Sequence, residues 1–144
     1  MMKKSLLLLA ALVLGGCATH WPETALLNPQ VIPSNQQYYS GNRITMEGVD
    51  KREAAYVFSI KKKEKAPVLV NSSQPLNNLL AEKLAEGLRS QGLEVGNSGT
   101  TNLTLAISPA AVTVEEKTFT YVTKSKVSLQ VIADFQGNRL TKQF

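Results

Sequence analysis

The clearest periodic pattern in the chain is a run of leucines spaced three and four residues apart between Pro75 and Gln91. The run consists of Leu76, Leu79, Leu80, Leu84 and Leu88. This spacing places them on one face of a helix, as expected for a face that packs on a core. Pro75 suits the first helical turn, and Gly92 can end a helix in a left-handed conformation. We predict an amphipathic helix from Pro75 to about Gln91.

Apolar residues near strand periodicity predict several short strands elsewhere. The segments are 43–49, 55–60, 67–70, 93–95 and 103–107, with a longer stretch over 119–133. Pro109 is expected to interrupt the strand before it, because proline cannot donate to a sheet ladder. The sequence from Gln136 to Asn138 predicts a tight turn into a last strand. We therefore predict an α+β fold, with one amphipathic helix packed on a mostly antiparallel sheet of about five strands.

The end of the chain suggests that this fold is incomplete. One helix covers only part of a five-stranded sheet, and the last predicted strand ends at Phe144 without a polar tail. We expect that a C-terminal helix is missing through truncation.

The first sixteen residues have the pattern of an export signal. Lys3 and Lys4 precede an apolar run from Leu6 to Leu14, and small residues follow. The uncharged stretch is shorter than the roughly 20 residues that a transmembrane helix needs. We predict that residues 1–16 are a removable signal peptide.

Cys17 is the only cysteine, so the chain can form neither an intrachain disulfide nor a cysteine-rich metal site. The sequence VLGGC at positions 13–17 resembles the lipobox at which bacterial lipoprotein precursors are cut. This resemblance implies that Cys17 carries a diacylglyceryl group and that two or three acyl chains hold the mature protein on a membrane. The alternative is an ordinary secretory leader that is cut after Ala18. Because Ala18 stands where Asp favours inner-membrane retention, the resemblance implies the outer membrane, with the domain facing the periplasm.

Behind the anchor, prolines and polar residues predict a flexible, lipid-anchored tether over residues 17–42, in which a short strand around 26–32 can dock. Residues 43–144 are then one small domain. Trp21 suits the boundary of a bilayer, although an exposed position in the tether explains it equally well. His20 is the only histidine and lies far from any acidic cluster, which makes it a poor catalytic candidate.

The net charge of the full chain is +5, and two of its positive charges, Lys3 and Lys4, lie in the predicted signal peptide. This falls short of the clustered basic footprint of a nucleic-acid binder. The run Lys61–Lys65 raises the possibility of phosphate or acidic-lipid binding, but a solvated connection between strands is the favoured interpretation.

No combination of residues predicts catalysis, a metal site or a cofactor. Glu115 and Glu116 are adjacent and would point to opposite faces of a strand, so they cannot converge on one substrate bond. Gly96–Gly99 is glycine-rich, but a strand rather than a helix follows it, which favours a turn over a phosphate cradle. We therefore expect a protein that is not an enzyme.

The whole chain resembles the YajG family of bacterial lipoproteins. The matching blocks, in family order, are Cys17, Gly48-Val49-Asp50 with Arg52, the leucine-rich helix running into Gln91–Gly96, Asn102-Leu103 to Ser108, Tyr121, Lys124 and Gly137–Lys142. The resemblance implies an outer-membrane lipoprotein whose biochemical role is not defined. Family members continue past the last strand into another strand and a long amphipathic helix, so the resemblance also implies truncation at the C-terminus.

The expected function is that of a non-enzymatic envelope lipoprotein that binds or positions a periplasmic protein or a cell-wall component. Its expected partners are the membrane, through acyl chains on Cys17, and that envelope component, but not nucleic acid. The alternative is a small-ligand or lipid carrier in the periplasm.

Overall fold

The structure is a computed structural model that describes residues 23–144. It contains eight strands and one helix in this range. The strands are β1 (Thr24–Ala25), β2 (Arg43–Asp50), β3 (Tyr56–Lys61), β4 (Val68–Ser72), β5 (Glu94–Gly96), β6 (Thr101–Glu116), β7 (Tyr121–Phe135) and β8 (Asn138–Gln143), and the helix is α1 (Leu76–Arg89).

The 16-residue strand β6 is the centre of the sheet. Along one of its edges, β2 pairs in parallel with residues 101–107 and β3 pairs in parallel with residues 112–115. Along its other edge, β7 pairs antiparallel from Thr101 to Glu116. Two strands therefore lie end to end on one edge of β6, and a single long strand covers the other edge.

The remaining strands extend the sheet outward from these three. β4 pairs antiparallel with β3, and the two-residue β1 pairs in parallel with β4. β5 pairs in parallel with β2, and β8 pairs antiparallel with β7. On the first edge of β6 the sheet thus continues as β3-β4-β1 at one end and as β2-β5 at the other, and β7 and β8 extend the second edge.

The predicted fold class, α+β with about five mostly antiparallel strands, is wrong. Residues 23–144 form a mostly β structure, an eight-stranded mixed sheet with one helix of 14 residues. Four of its strand pairings are parallel and three are antiparallel. The parallel pairings join segments that lie far apart in sequence, whereas local apolar patterns identify strands without identifying their partners.

The predicted break of the strand at Pro109 is also wrong. β6 continues through Pro109 to Glu116, and its register with β7 shifts between Ile107 and Ala110. A bulge of this kind leaves residues outside the ladder, so it accommodates a residue that lacks an N–H group. The bulge lies level with the gap between β2 and β3, where the Lys51 N–H donates to the Ile107 carbonyl at 2.9 Å.

The helix lies over β2, β5 and β6 and closes the core on that face of the sheet. Leu76 and Leu79 pack in a buried cluster with Val57, Ile107 and Ala110. The predicted apolar face is therefore confirmed, and the helix begins immediately after Pro75, as the sequence indicated.

Gly48 allows α1 to approach β2 closely. A Cβ atom at Gly48 would fall on the backbone carbonyl group of Asn77, and the Asn77 side-chain amide donates to the Gly48 carbonyl at 2.9 Å. The first turn of the helix therefore rests directly on the backbone of β2.

The described part of the predicted tether contacts the domain at several points. Leu27 packs on the core cluster, and the Ser34 N–H donates to the Ser90 hydroxyl at 3.1 Å. The Tyr39 N–H donates to the Gln91 carbonyl at 3.0 Å. The connection from β1 to β2 thus runs beside the C-terminal end of α1. Within residues 23–144, no helix is both long enough and apolar enough to cross a membrane.

Candidate functional site

Strand β8 has an open edge. It pairs with β7 on one side, and no described strand pairs with its other side. All six of its residues are exposed. An unpaired strand edge offers a row of backbone donors and acceptors to another chain, so β8 is a candidate binding element.

The hydrogen bonding to β7 fixes which residues of β8 face outward. Leu129 and Phe144 exchange both of their backbone hydrogen bonds, at 3.1 and 2.8 Å. Because the bonding direction alternates along an antiparallel strand, Arg139, Thr141 and Gln143 direct their N–H and C=O groups to the open side. The edge therefore presents three donors and three acceptors.

An apolar strip lies beside this edge, on the face of the sheet that α1 covers elsewhere. Leu129 is the register partner of Ile107 and packs against the core cluster, which identifies the face. Alternate residues of β7 and β8 share that face. We define the apolar strip as Val127, Leu129, Val131, Phe135, Leu140 and Phe144. Leu140 is 73% exposed and Phe144 65%, so the strip is an extension of the core that remains open to solvent.

Basic residues flank the apolar strip. The Lys142 ammonium lies 5.4 Å from the centre of the Phe144 ring, within cation–π range. On the opposite face of β8, the Arg139 guanidinium donates to the Asp134 carboxylate at 2.8 Å. This hydrogen bond is the main reason that the pKa of Asp134 lies below its ordinary value. Of the two cations on β8, Arg139 is therefore paired with a carboxylate and Lys142 lies over an aromatic ring.

On the other face of the sheet, the junction of β2 and β6 is lined by polar side chains. Thr104 donates to the Glu47 carboxylate at 3.0 Å, and the Thr45 hydroxyl donates to the Asn102 side chain. These pairs link β2 and β6 without an apolar surface between them. This junction therefore lacks the exposed apolar side chains that the apolar strip presents.

The Gly48-Val49-Asp50 and Arg52 block closes the gap between β2 and β3. Only 6% of the Arg52 side chain is exposed, and its guanidinium donates to the Asp50 carboxylate at 2.7 Å and to the Ala55 carbonyl at 3.1 Å. Their hydrogen bond lowers the pKa of Asp50 and raises that of Arg52. Because the guanidinium binds groups of its own loop, its role is to hold that loop.

The lysine run lies where the sequence predicted, in the connection from β3 to β4. Lys61 is the register partner of Glu115, and the Lys117 ammonium lies 3.2 Å from the Glu115 carboxylate. The hydrogen bond from Lys117 is the main cause of a lowered pKa at Glu115, to which Lys124 also contributes. The fold thus collects lysines from three separate segments at one end of the sheet.

The other candidate residues divide into two groups. Cys17, His20 and Trp21 lie outside the described residues. Gly96–Gly99 leads from β5 into β6, where a Cβ atom at Gly99 would meet the backbone of Ile44, so the glycine permits close packing. Among residues 23–144, no three His, Cys, Asp or Glu side chains are grouped to hold a metal ion.

Sequence reasoning anticipated an uncovered sheet face but not the open edge. The apolar pattern of residues 119–133 identified β7 as a strand. Nothing in that pattern indicates that β8 is the outermost strand, because strand order depends on which segments pair with β6.

Comparison with known proteins places the chain in a family. The model of a family of uncharacterised lipoproteins matches residues 29–144. No curated protein matches the chain.

Two solved structures resemble the chain at low sequence identity. A crystal structure of a Xanthomonas campestris protein of family DUF330 is 9% identical, with a TM-score of 0.55 over 84% of this chain and 75% of that one. A second, of an uncharacterised protein, is 11% identical, with a TM-score of 0.47 over 86% of this chain and 78% of that one. At this identity, the first shows a shared fold and nothing about function. Since the family model covers most of the chain, the protein belongs to the uncharacterised-lipoprotein family, the YajG family, and is a membrane-associated protein of the cell envelope.

Proposed function

We propose that this lipoprotein is a non-enzymatic adaptor, anchored in the outer membrane by acyl chains on Cys17, that binds an extended segment of a periplasmic protein along β8. The observation that carries the proposal is the open edge of β8 next to the apolar strip. An added strand would satisfy the outward backbone groups, and its apolar side chains would extend the cover over the strip.

The charges on β8 favour a partner that carries acidic residues. Arg139 and Lys142 lie three positions apart on the strand, one on each face. A second copy of β8 would bring no counter-charge to these two cations, because the strand contains no Asp or Glu. A segment in which apolar residues alternate with Glu or Asp suits both the strip and the charges.

The binding mode can be tested with two synthetic peptides of equal length, one alternating Val with Glu and one alternating Val with Lys. Each would be titrated into the full chain in detergent micelles while backbone amide signals are followed by NMR. We expect the acidic peptide to bind and to slow hydrogen exchange at Arg139, Thr141 and Gln143, whose N–H groups face outward.

Thr141→Pro provides a sharp variant, because it removes an outward N–H group and leaves the ladder to β7 intact. We expect it to weaken binding of the acidic peptide at least about tenfold, the value of one backbone hydrogen bond. Thr141→Val retains the N–H group and is the matched control. Equal binding by Thr141→Pro and Thr141→Val, or no binding of the acidic peptide to the wild type, would refute strand addition.

The anchor is tested separately by expressing the full chain in a Gram-negative host and comparing the wild type with Cys17→Ala. We expect the wild type to gain acyl mass and to fractionate with the outer membrane, and the variant to retain its leader. Soluble forms of both, cut near Ala18, would overturn the anchor and leave the strand-addition test unaffected.

The carrier alternative stays a prediction from the sequence. An apolar molecule that remains bound through purification, and that Leu140→Glu releases, would favour the carrier over the adaptor.

A further inference from the structure

The turn between β6 and β7 exposes an aromatic side chain at its apex. The turn is closed by a hydrogen bond of 2.8 Å from the Lys117 N–H to the Thr120 carbonyl. Phe119 is 94% exposed, and Tyr121, the first residue of β7, is 67% exposed. Because almost all of the Phe119 surface faces solvent, packing in the core does not explain an aromatic residue at this position.

Lysines surround this turn. The Lys61 and Lys117 ammonium groups lie 4.0 and 3.2 Å from the Glu115 carboxylate, and Lys124 acts on the same carboxylate from β7. We define the basic tip as Phe119 together with these and the neighbouring lysines: Lys61, Lys62, Lys63, Lys65, Lys117 and Lys124. The glutamates Glu64, Glu115 and Glu116 lie in the same segments, so lysines outnumber carboxylates two to one. An exposed aromatic ring within a group of lysines has the composition of a membrane-surface contact.

The first described residues lie at the end of β1 that is nearer to the basic tip. The Asn71 N–H donates to the Glu23 carbonyl, and β1 runs parallel to β4, away from the basic tip. The pairings of β4 with β3 and of β3 with β6 put Val70 level with Val112. Glu23 therefore lies near the level of Val112, at the end of β1 that faces the basic tip.

The distances allow Cys17 and the basic tip to reach one membrane. The six residues from Cys17 to Glu23 can span at most about 20 Å. The six residues of chain from Val112 to Thr118 cover about 20 Å along the sheet. This step rests on the anchor at Cys17 proposed above, whereas the exposed ring and the lysines do not depend on it.

We propose that the basic tip is a second membrane contact, in which the lysines bind anionic phospholipid headgroups and Phe119 enters the interface of the bilayer that holds Cys17. The register of β7 with β8 starts at Gln130, about 30 Å from the turn at 3.3 Å per residue. The contact therefore fixes the orientation of the domain and directs β8 away from the lipid.

The proposal can be tested with a tryptophan at the tip. Trp21 is the only tryptophan, so Trp21→Phe combined with Phe119→Trp gives a single fluorophore in the full, acylated chain. The protein would be reconstituted into vesicles of phosphatidylethanolamine and phosphatidylglycerol, and into neutral vesicles of phosphatidylcholine, each with brominated acyl chains as quencher. We expect a blue shift and quenching in the anionic vesicles, both reversed by high salt, and neither in the neutral ones.

Charge reversal separates the tip from the rest of the surface. Because each lysine near an anionic bilayer strengthens binding about fivefold, Lys117→Glu with Lys124→Glu should reduce the inserted population more than about twentyfold. Lys142→Glu makes the same kind of change on β8, far from the tip, and should leave the signal unchanged. Far-UV circular dichroism of each variant checks that the fold is retained.

Two outcomes would overturn the proposal. One is an indole that stays solvent-exposed in anionic vesicles although flotation shows the protein on the lipid, which would leave Cys17 as the only anchor. The other is equal quenching in both lipids or in the Lys117→Glu, Lys124→Glu variant. If the chain does not become acylated, the unacylated protein is mixed with the same vesicles. A blue shift in the anionic vesicles would then support the tip contact, and no blue shift would refute it.

Discussion

The Arg52 guanidinium is buried against the Asp50 carboxylate, two residues earlier on the chain, at a separation of 2.7 Å. The pair holds the loop that carries the chain from β2 to β3 along one edge of β6. It is therefore the point at which the two halves of that edge are joined.

We expect Asp50→Asn to lower the free energy of unfolding by about 2 kcal/mol at pH 7, because it leaves the Arg52 charge without a counter-ion while water still reaches part of the site. The folded pKa of Asp50 is lowered, so its contribution is present above the ordinary carboxyl pKa and is lost as the pH falls through the lowered value. Urea denaturation of the wild type and the variant at pH 7 and pH 3 measures both effects. A difference that is as large at pH 3 as at pH 7 would contradict an ionic origin.

Gly48→Ala should destabilise the fold by about 2 kcal/mol or more, because its Cβ atom would push the first turn of α1 off β2. Gly96→Ala is the matched control, since its Cβ atom would meet nothing within 4 Å. We expect the control to change the free energy of unfolding by no more than about 0.5 kcal/mol. Thermal melts of both variants give the comparison, and equal melting temperatures would contradict close contact at Gly48.

Ile107 and Leu140 lie on the same face of the sheet but should differ in their energetic roles. Ile107 is 0% exposed, so Ile107→Ala should lower the free energy of unfolding by about 2 to 5 kcal/mol. Leu140→Glu in the apolar strip should change stability by no more than about 0.5 kcal/mol while weakening binding of the acidic peptide. Denaturation and titration with the peptide measure the two properties. A large loss of stability in Leu140→Glu would show that the strip is part of the core.

Ser90→Ala should release the segment that runs beside the end of α1. It removes the hydroxyl that accepts from the Ser34 N–H, so we expect hydrogen exchange at the Ser34 amide to become about tenfold faster. Ser34→Ala keeps that amide donor and should leave its exchange rate within a few-fold of the wild type. If exchange at position 34 is unaffected by Ser90→Ala, the hydrogen bond does not hold the segment.

Local features of the fold were predictable from the sequence. Leucine spacing located α1 to within two residues at each end, and Gly92 has the left-handed backbone, at φ +88°, that its place after the helix suggested. The turn before β8 was also found, with Gly137 at φ +81°. Each of these features is determined within a few residues of chain, which is the range that periodicity and turn chemistry describe.

Long-range features were not predictable in the same way. Ile44 pairs with Thr101, 57 positions later in the chain, and the local sequence around either residue does not identify the other as its partner. The sequence around Pro109 predicts a strand end where the structure has a bulge, because a bulge in a long strand and a strand end give the same local pattern. The candidate site depends on this information, since the position of β8 among the described strands follows only from the strand pairings.

The end-to-end placement of β2 and β3 on β6 has a consequence for the order of folding. Both strands leave the ribosome well before β6, so the edge of β2 lacks this partner until residue 107 has appeared and the edge of β3 until residue 115 has appeared. Loop closure over such separations makes folding slow and exposes apolar segments to aggregation. Until β6 has been synthesised, the chain therefore stays largely unfolded, which is the state that passage across a membrane requires.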